Sequence, residues 1–133
     1  MSQENVEFVR NFYAMINRGD AEAWHVLPPR FVIDLSRRLI DPVVLRGPDD
    51  MRAFYRDLDA HWAGGASLEV EELIDAGDQV LVLIRFGGRG KMSGAEVEAL
   101  VWNVWTFRDG EPVRWTYFGE DRAEAREAAG LRE

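Results

Sequence analysis

Asp34 lies in the run Val32-Ile33-Asp34-Leu35, a carboxylate among strand hydrophobes. Burying a carboxylate is costly unless it is paired. A buried acid whose pKa is raised is suited to act as a general base, so Asp34 is the first candidate for proton transfer. Its plainer role is a structural acid bonded to Arg37, Arg38 or a backbone amide. Arg85 closes the apolar run Val80–Ile84. Its planar fork suits either Asp34 or a substrate oxygen, and its plainer role is a strand end reaching solvent. Asn103 stands among Trp102, Val104 and Trp105. Strand alternation gives it a face with Val101, Trp105 and Phe107, where its amide either points into a pocket or is a satisfied core amide. Taken together, Asp34 would move a proton while Asn103 and Arg85 steady a developing oxyanion. The substrate of such chemistry is a small, largely apolar molecule with an oxygen that takes up that charge.

Aromatic side chains would line the pocket. On the helical segments these are Phe12, Tyr13, Trp24, Phe54 and Trp62; on the strands, Trp105 and Phe118. Aromatics at such spacing also make plain core. His61, beside Trp62, reads as an exposed residue or a partner for a helix C-terminus. Glu69, Glu71 and Glu72 read as a solvated strand face.

Composition narrows the classes. The 133 residues are 47% hydrophobic and suffice for one domain, 1–133, with a real core. No cysteine is present, which excludes disulfides and thiolate chemistry and suits a reducing cytoplasm. A formal net charge of −8 disfavours nucleic acid and anionic membrane surfaces. With two histidines and no metal-ligand spacing, neither a metal site nor a cofactor is expected. No apolar run reaches the ~20 residues that span a bilayer, and Met1-Ser2-Gln3-Glu4-Asn5 does not open a secretory signal.

The elements that would position these residues follow from periodicity. Val9, Phe12, Tyr13 and Ile16 form a helical stripe ended by Gly19. Asp20 caps a short helix carrying Trp24 and Leu27, ended by Pro28-Pro29. Strands are expected at 31–36 and 43–46. Gly47-Pro48-Asp49-Asp50 starts a helix whose period continues through Met51, Phe54, Tyr55, Leu58 and Trp62. After Gly64-Gly65 the period becomes two: Leu68, Val70, Glu72 and Ile74 alternate with Glu69, Glu71 and Leu73. Val80–Phe86 is apolar enough to be covered on both faces. Gly87-Gly88-Arg89-Gly90 reads as a hairpin into a long strand from about 95 to 108. Asp109-Gly110 turns the chain into a last strand at 113–118. Glu120 or Asp121 then caps a short helix ending at Gly130. Helices preceding a meander give an α+β fold. The expected form is a cone-shaped roll, in which a curved, mixed, mostly antiparallel sheet wraps three N-terminal-side helices around a central pocket. The outer face of Val97–Phe107, with Trp115, offers apolar surface for a homodimer through the sheet.

Several stretches carry a family likeness: Phe8–Asp20, Arg46–Tyr55, the hairpin Trp105-Thr106-Phe107-Arg108-Asp109-Gly110, and the ending Asp121–Leu131. The chain resembles the SnoaL-like branch of the nuclear transport factor 2-like superfamily, which includes ketosteroid isomerases, polyketide cyclases and limonene epoxide hydrolase. Against the isomerases, the resemblance sets Phe12 at their donor tyrosine, with Tyr13 about 100° round the helix. Asn103 matches their protonated aspartate. Ser36 matches their general base, and Asp34 is two residues away on the same face. The epoxide hydrolase pattern, two aspartates flanking an arginine, is met in part by Asp34 and Arg85, with Glu98 as the second acid if it faces inward. The resemblance implies a cofactor-independent isomerase, cyclase or hydrolase acting on a small apolar carbonyl or epoxide compound by general acid–base catalysis. The alternative is a binding module that holds an apolar ligand without turnover.

Overall fold

The computed structural model describes residues 2–131. Helix α1 (Ser2–Asn17) buries Val9, Phe12 and Tyr13, the stripe its 3.6-residue period lays on one side. Asp20 accepts a hydrogen bond from the Glu22 amide and caps a short helix at Ala21–Val26. That helix is 3-10 rather than α and is short, six residues ended by the two prolines that follow. Strands β1 (Val32–Leu35) and β2 (Val43–Arg46) precede α2 (Pro48–Asp59), which has proline in its first turn as expected. The helix stops at Asp59, so Trp62 is not its last rung. Trp62 lies beyond it and bridges to Gly90.

Four longer strands follow: β3 (Ser67–Asp75), β4 (Gln79–Arg89), β5 (Glu96–Arg108) and β6 (Glu111–Gly119). Helix α3 (Arg122–Ala128) closes the order, capped by Asp121, whose carboxylate accepts from the Glu124 amide. The sheet order is β2-β1-β6-β5-β4-β3. Only β1 and β6 run parallel; every other pair is antiparallel. This is the α+β roll with a curved mixed sheet that the sequence implies. No helix among the described residues is long and apolar enough to cross a membrane.

Two features of the meander depart from simple alternation. The β3–β4 register shifts between Val70 and Glu72, so Leu73 rather than Glu72 packs with the main core. A bulge changes which parity of residues faces in. Strand β4 also runs through Gly87 and Gly88, and the turn lies farther on, between Gly90 and Ala95. At Asp109-Gly110 the turn falls where expected, both residues having positive φ of 52° and 81°. At the open edge, Asn17 clamps β3: its Nδ2 donates to the Leu68 carbonyl at 2.9 Å, and its Oδ1 accepts from the Leu68 amide at 2.8 Å. The clamp fixes α1 to a strand edge that otherwise presents unpaired amides.

The N-terminal helices pack on the concave face, but α3 does not. Ala125 and Ala129 cover Leu81, Trp102, Val104 and Phe118 on the convex face. The apolar outer face expected from the sequence is thereby largely closed. Trp105, Phe107 and Trp115 belong to the inner core. Of the outward residues on β4 and β5, Leu83 stays half-buried and Leu100 is 46% exposed.

Candidate functional site

Between the concave sheet and α2 lies a cavity of about 260 Å³. Strand alternation selects its floor. On β4, Ile84 and Phe86 point in; on β5, Ala99, Val101 and Asn103; on β6, Trp115 and Tyr117. Helix α2 supplies Phe54, Tyr55 and Leu58, α1 supplies Tyr13, the end of β1 supplies Leu35, and the loop after it supplies Arg38. Trp62 closes one side, edge-to-face with Phe86 at 5.3 Å. A second cavity of about 340 Å³ lies between α1, α2 and β3; Tyr55, Leu58, Leu68 and Phe86 border both.

Two hydrogen bonds fix the polar floor. Trp115 Nε1 donates to Asn103 Oδ1 at 2.8 Å. An indole nitrogen only donates, so the amide oxygen is the atom it meets, and Asn103 Nδ2 is left without a partner among the described residues. Trp105 Nε1 donates to the Tyr13 hydroxyl oxygen at 3.1 Å. That oxygen is occupied as an acceptor, which leaves the Tyr13 O–H as a donor. Burial raises the Tyr13 pKa well above 10.0, against the opposing effect of the Trp105 bond. Burial likewise raises those of Tyr55 and Tyr117, partly offset by the Arg38 charge. All three phenols are therefore neutral donors near pH 7.

The acid of the sequence-based site lies elsewhere. Ile33 and Leu35 enter the core, so Asp34 between them faces the other side of the sheet. Its Oδ1 accepts from the Ser36 amide at 3.0 Å and from the Ser36 hydroxyl at 2.6 Å; its Oδ2 accepts from Arg114 at 2.5 Å. Burial pushes its pKa up, but Ser36 and Arg114 outweigh that, and the carboxyl is held below its ordinary value. This is the structural acid, not a base with a raised pKa, and its partner is Arg114 rather than Arg37, Arg38 or Arg85. Arg85 also faces outward, bonded to Glu71 and, at 2.7 Å, to Glu98. Ile84 and Phe86 on either side of it take the inward places, so Arg85 reaches neither Asp34 nor the cavity. Glu98 does not face in either, which leaves the two-acid pattern of an epoxide hydrolase unmet. Among the described residues, no carboxylate lines this cavity.

Of the aromatic candidates, Tyr13, Phe54 and Trp62 line the cavity. Trp24 borders the second cavity and stacks on Tyr55, centroids 4.8 Å apart. Phe12 and Trp105 sit behind the wall as core, 5.2 Å apart edge-to-face. Phe118 is on the convex face, under α3 and beside the Arg37 guanidinium at 4.5 Å. From α1 it is thus Tyr13 that reaches the cavity, not the residue at position 12. Sequence reasoning missed Arg38, Tyr55, Tyr117 and the donor role of Trp115. Tyr55 was within reach, since it shares the α2 stripe with Phe54. Arg38 follows the strand in a loop, where no periodicity assigns a direction. Among the described residues, no group of acids and histidines is arranged to hold a metal ion.

The family model for the SnoaL-like domain matches residues 9–115. None of the curated proteins matches the chain. Among solved structures, Bal32a from a soil-derived mobile gene cassette is 17% identical with a TM-score of 0.78, the match covering 90% of this chain and 92% of that one. A nuclear transport factor 2-like protein from Burkholderia thailandensis is 24% identical with a TM-score of 0.75, covering 96% and 97%. TerC, co-crystallized with polyporic acid, is 20% identical with a TM-score of 0.73, covering 96% and 98%. At these identities the likenesses are of fold.

Proposed function

The chain belongs to the SnoaL-like domain family, and on that footing we propose that its concave cavity takes a small, largely apolar molecule by one oxygen and promotes isomerisation or cyclisation at the adjoining carbon. One observation carries this. Two tryptophan N–H groups occupy the acceptor atoms of Tyr13 and Asn103, leaving the Tyr13 O–H and the Asn103 amide NH2 as donors for a ligand oxygen. Donors held in place before the ligand arrives stabilise charge that develops on that oxygen, and loss of one such donor costs ~10²–10³ in rate. The fold family includes cofactor-independent isomerases and cyclases, which is consistent with this reading.

A second reading, a binding module without turnover, is favoured by the absence of a lining carboxylate among the described residues. In the catalytic reading, water or the substrate's own base takes the proton. Titrating small cyclic enones and epoxides against tryptophan fluorescence, then assaying each binder for turnover, separates the two. Turnover that falls in Tyr13→Phe and Asn103→Leu supports catalysis. Tight binding without turnover across the panel selects the module, and absence of binding overturns both. Pairing of two copies through the convex sheet face is part of the same proposal. It rests on Leu83 and Leu100, and a monomer in sedimentation at micromolar concentration would remove it.

A further inference from the structure

We infer that the molecule taken by the cavity is an aromatic carboxylate whose anionic group pairs with Arg38; the inference rests on the cavity's being the binding site proposed above.

Six arginines have a described ion pair, each with a carboxylate: Arg18 with Asp20, Arg37 with Glu124, Arg52 with Asp49, Arg85 with Glu71 and Glu98, Arg89 with Glu96, and Arg114 with Asp34. Arg38 lines the cavity with no ion pair among the described residues, in a chain of net charge −8 that has acids to spare. Its guanidinium lies instead over the Phe54 ring, 5.2 Å from the centroid. Its charge is felt by Tyr55 and Tyr117 on two other elements, so it stands among the groups that face the cavity. A guanidinium in a mostly apolar recess lacks an anion, and its planar fork matches a carboxylate through two parallel hydrogen bonds.

The remaining lining points the same way. Tyr13 and Asn103 offer donors to the cavity. A lining that is rich in donors and, among the described residues, holds no acid suits a ligand rich in acceptors. Phe54, Tyr55, Phe86 and Trp115 present ring faces and edges, which favour a planar aromatic body. The volume of about 260 Å³ lies just below the range of drug-sized pockets and limits that body to one or two rings.

Calorimetric titration of the full chain with benzoate and 2-naphthoate, and with their methyl esters, tests this at neutral pH. The wild type should bind at least one acid about tenfold or more tightly than its ester, as expected for a charge-assisted pair. Arg38→Met, which keeps the apolar stem, should bring the acid to the affinity of the ester and leave the ester unchanged. Arg38→Lys should restore part of the difference. Equal binding of acid and ester by the wild type would overturn the inference and leave the cavity's role as a binding site standing. So would an acid preference that survives in Arg38→Met. Binding of neither acids nor esters would overturn the inference; binding of the enone panel in the same protein would then show that the cavity is used by another ligand class.

Discussion

Trp105 and Trp115 are direct partners across the β5–β6 ladder and stack with centroids 5.3 Å apart and planes 18° from parallel. Each gives its one N–H to a different cavity side chain, Trp105 to Tyr13 and Trp115 to Asn103. The stacked pair is thus both core and the support that decides which way two polar groups face. Tyr13 and Asn103 come from α1 and β5, 90 residues apart, and the indoles hold both in one cavity.

Trp115→Phe removes the N–H and keeps most of the ring. The buried Asn103 oxygen then lacks its partner, which should cost about 1–3 kcal/mol of stability. The amide is also free to turn, so affinity for carbonyl ligands should fall roughly tenfold, the ratio that ~1.4 kcal/mol sets. Thermal unfolding and ligand titration read the two effects separately. A loss of stability with affinity unchanged would make Asn103 a satisfied core amide and nothing more.

Tyr13 should remain a donor throughout the neutral range, because burial holds its pKa well above 10.0. Ligand affinity should therefore be flat in pH up to about 9 as far as this group is concerned. The sign for stability follows. The folded-state pKa is raised above the unfolded one, so the contribution is complete below pH 10.0 and is lost as pH rises past it. Tyr13→Phe should soften that alkaline loss, with Tyr55 and Tyr117 still contributing. An alkaline unfolding profile unchanged by the substitution would contradict the burial of the phenol.

Asp34 should matter for stability and not for chemistry. Its folded pKa is lowered from 3.8, so its contribution is present above that value and is lost as pH falls through the folded pKa. Asp34→Asn keeps acceptors for Ser36 but loses the charge facing Arg114. The cost should be about 0.5–1.5 kcal/mol, since Arg114 is partly exposed and solvent screens the pair. Acid unfolding should change between wild type and variant, while ligand affinity and any turnover stay the same. A tenfold loss of turnover in a variant that remains folded would return Asp34 to the mechanism.

Much of the fold was legible because it is written in periods. The α1 stripe, the proline start of α2 and the Asp109-Gly110 turn each depend on neighbours in sequence. Alternation puts Asn103 on one face with Val101 and Trp105 without saying which face that is, and in the structure it is the concave one. The same rule applied to Ile33 and Leu35 turns Asp34 outward, and its buried place there comes from Arg114 and Ser36 rather than from a pocket. Arg85 is turned outward in the same way: Ile84 and Phe86 occupy the inner places. The partners that decide these roles are distant. Arg114 is 80 residues from Asp34, and Tyr13 is 92 from Trp105. No local pattern signals such pairs, nor the direction of Arg38 in its loop.

The cavity wall has one position where a single methyl group tests its rigidity. Gly88 lies in β4 opposite Val97, and a Cβ there would meet Trp62 at 2.8 Å from Cε3 and 3.0 Å from Cδ2. Those atoms belong to the fused part of the indole, which cannot yield by a small rotation of a chain end. Trp62 is also held by its bridge to Gly90 and by Phe86. Gly88→Ala should therefore displace the indole, at a cost of about 1–3 kcal/mol typical of overpacking. Trp62 lines the cavity, so ligand affinity and tryptophan fluorescence should change together with thermal stability. The double variant with Trp62→Leu should recover most of the cost relative to Trp62→Leu alone, because residues in contact are not additive. Additive losses in that cycle would place the effect of Gly88→Ala in the strand itself, and an unchanged fluorescence would mean that Trp62 is not the fixed wall its contacts imply.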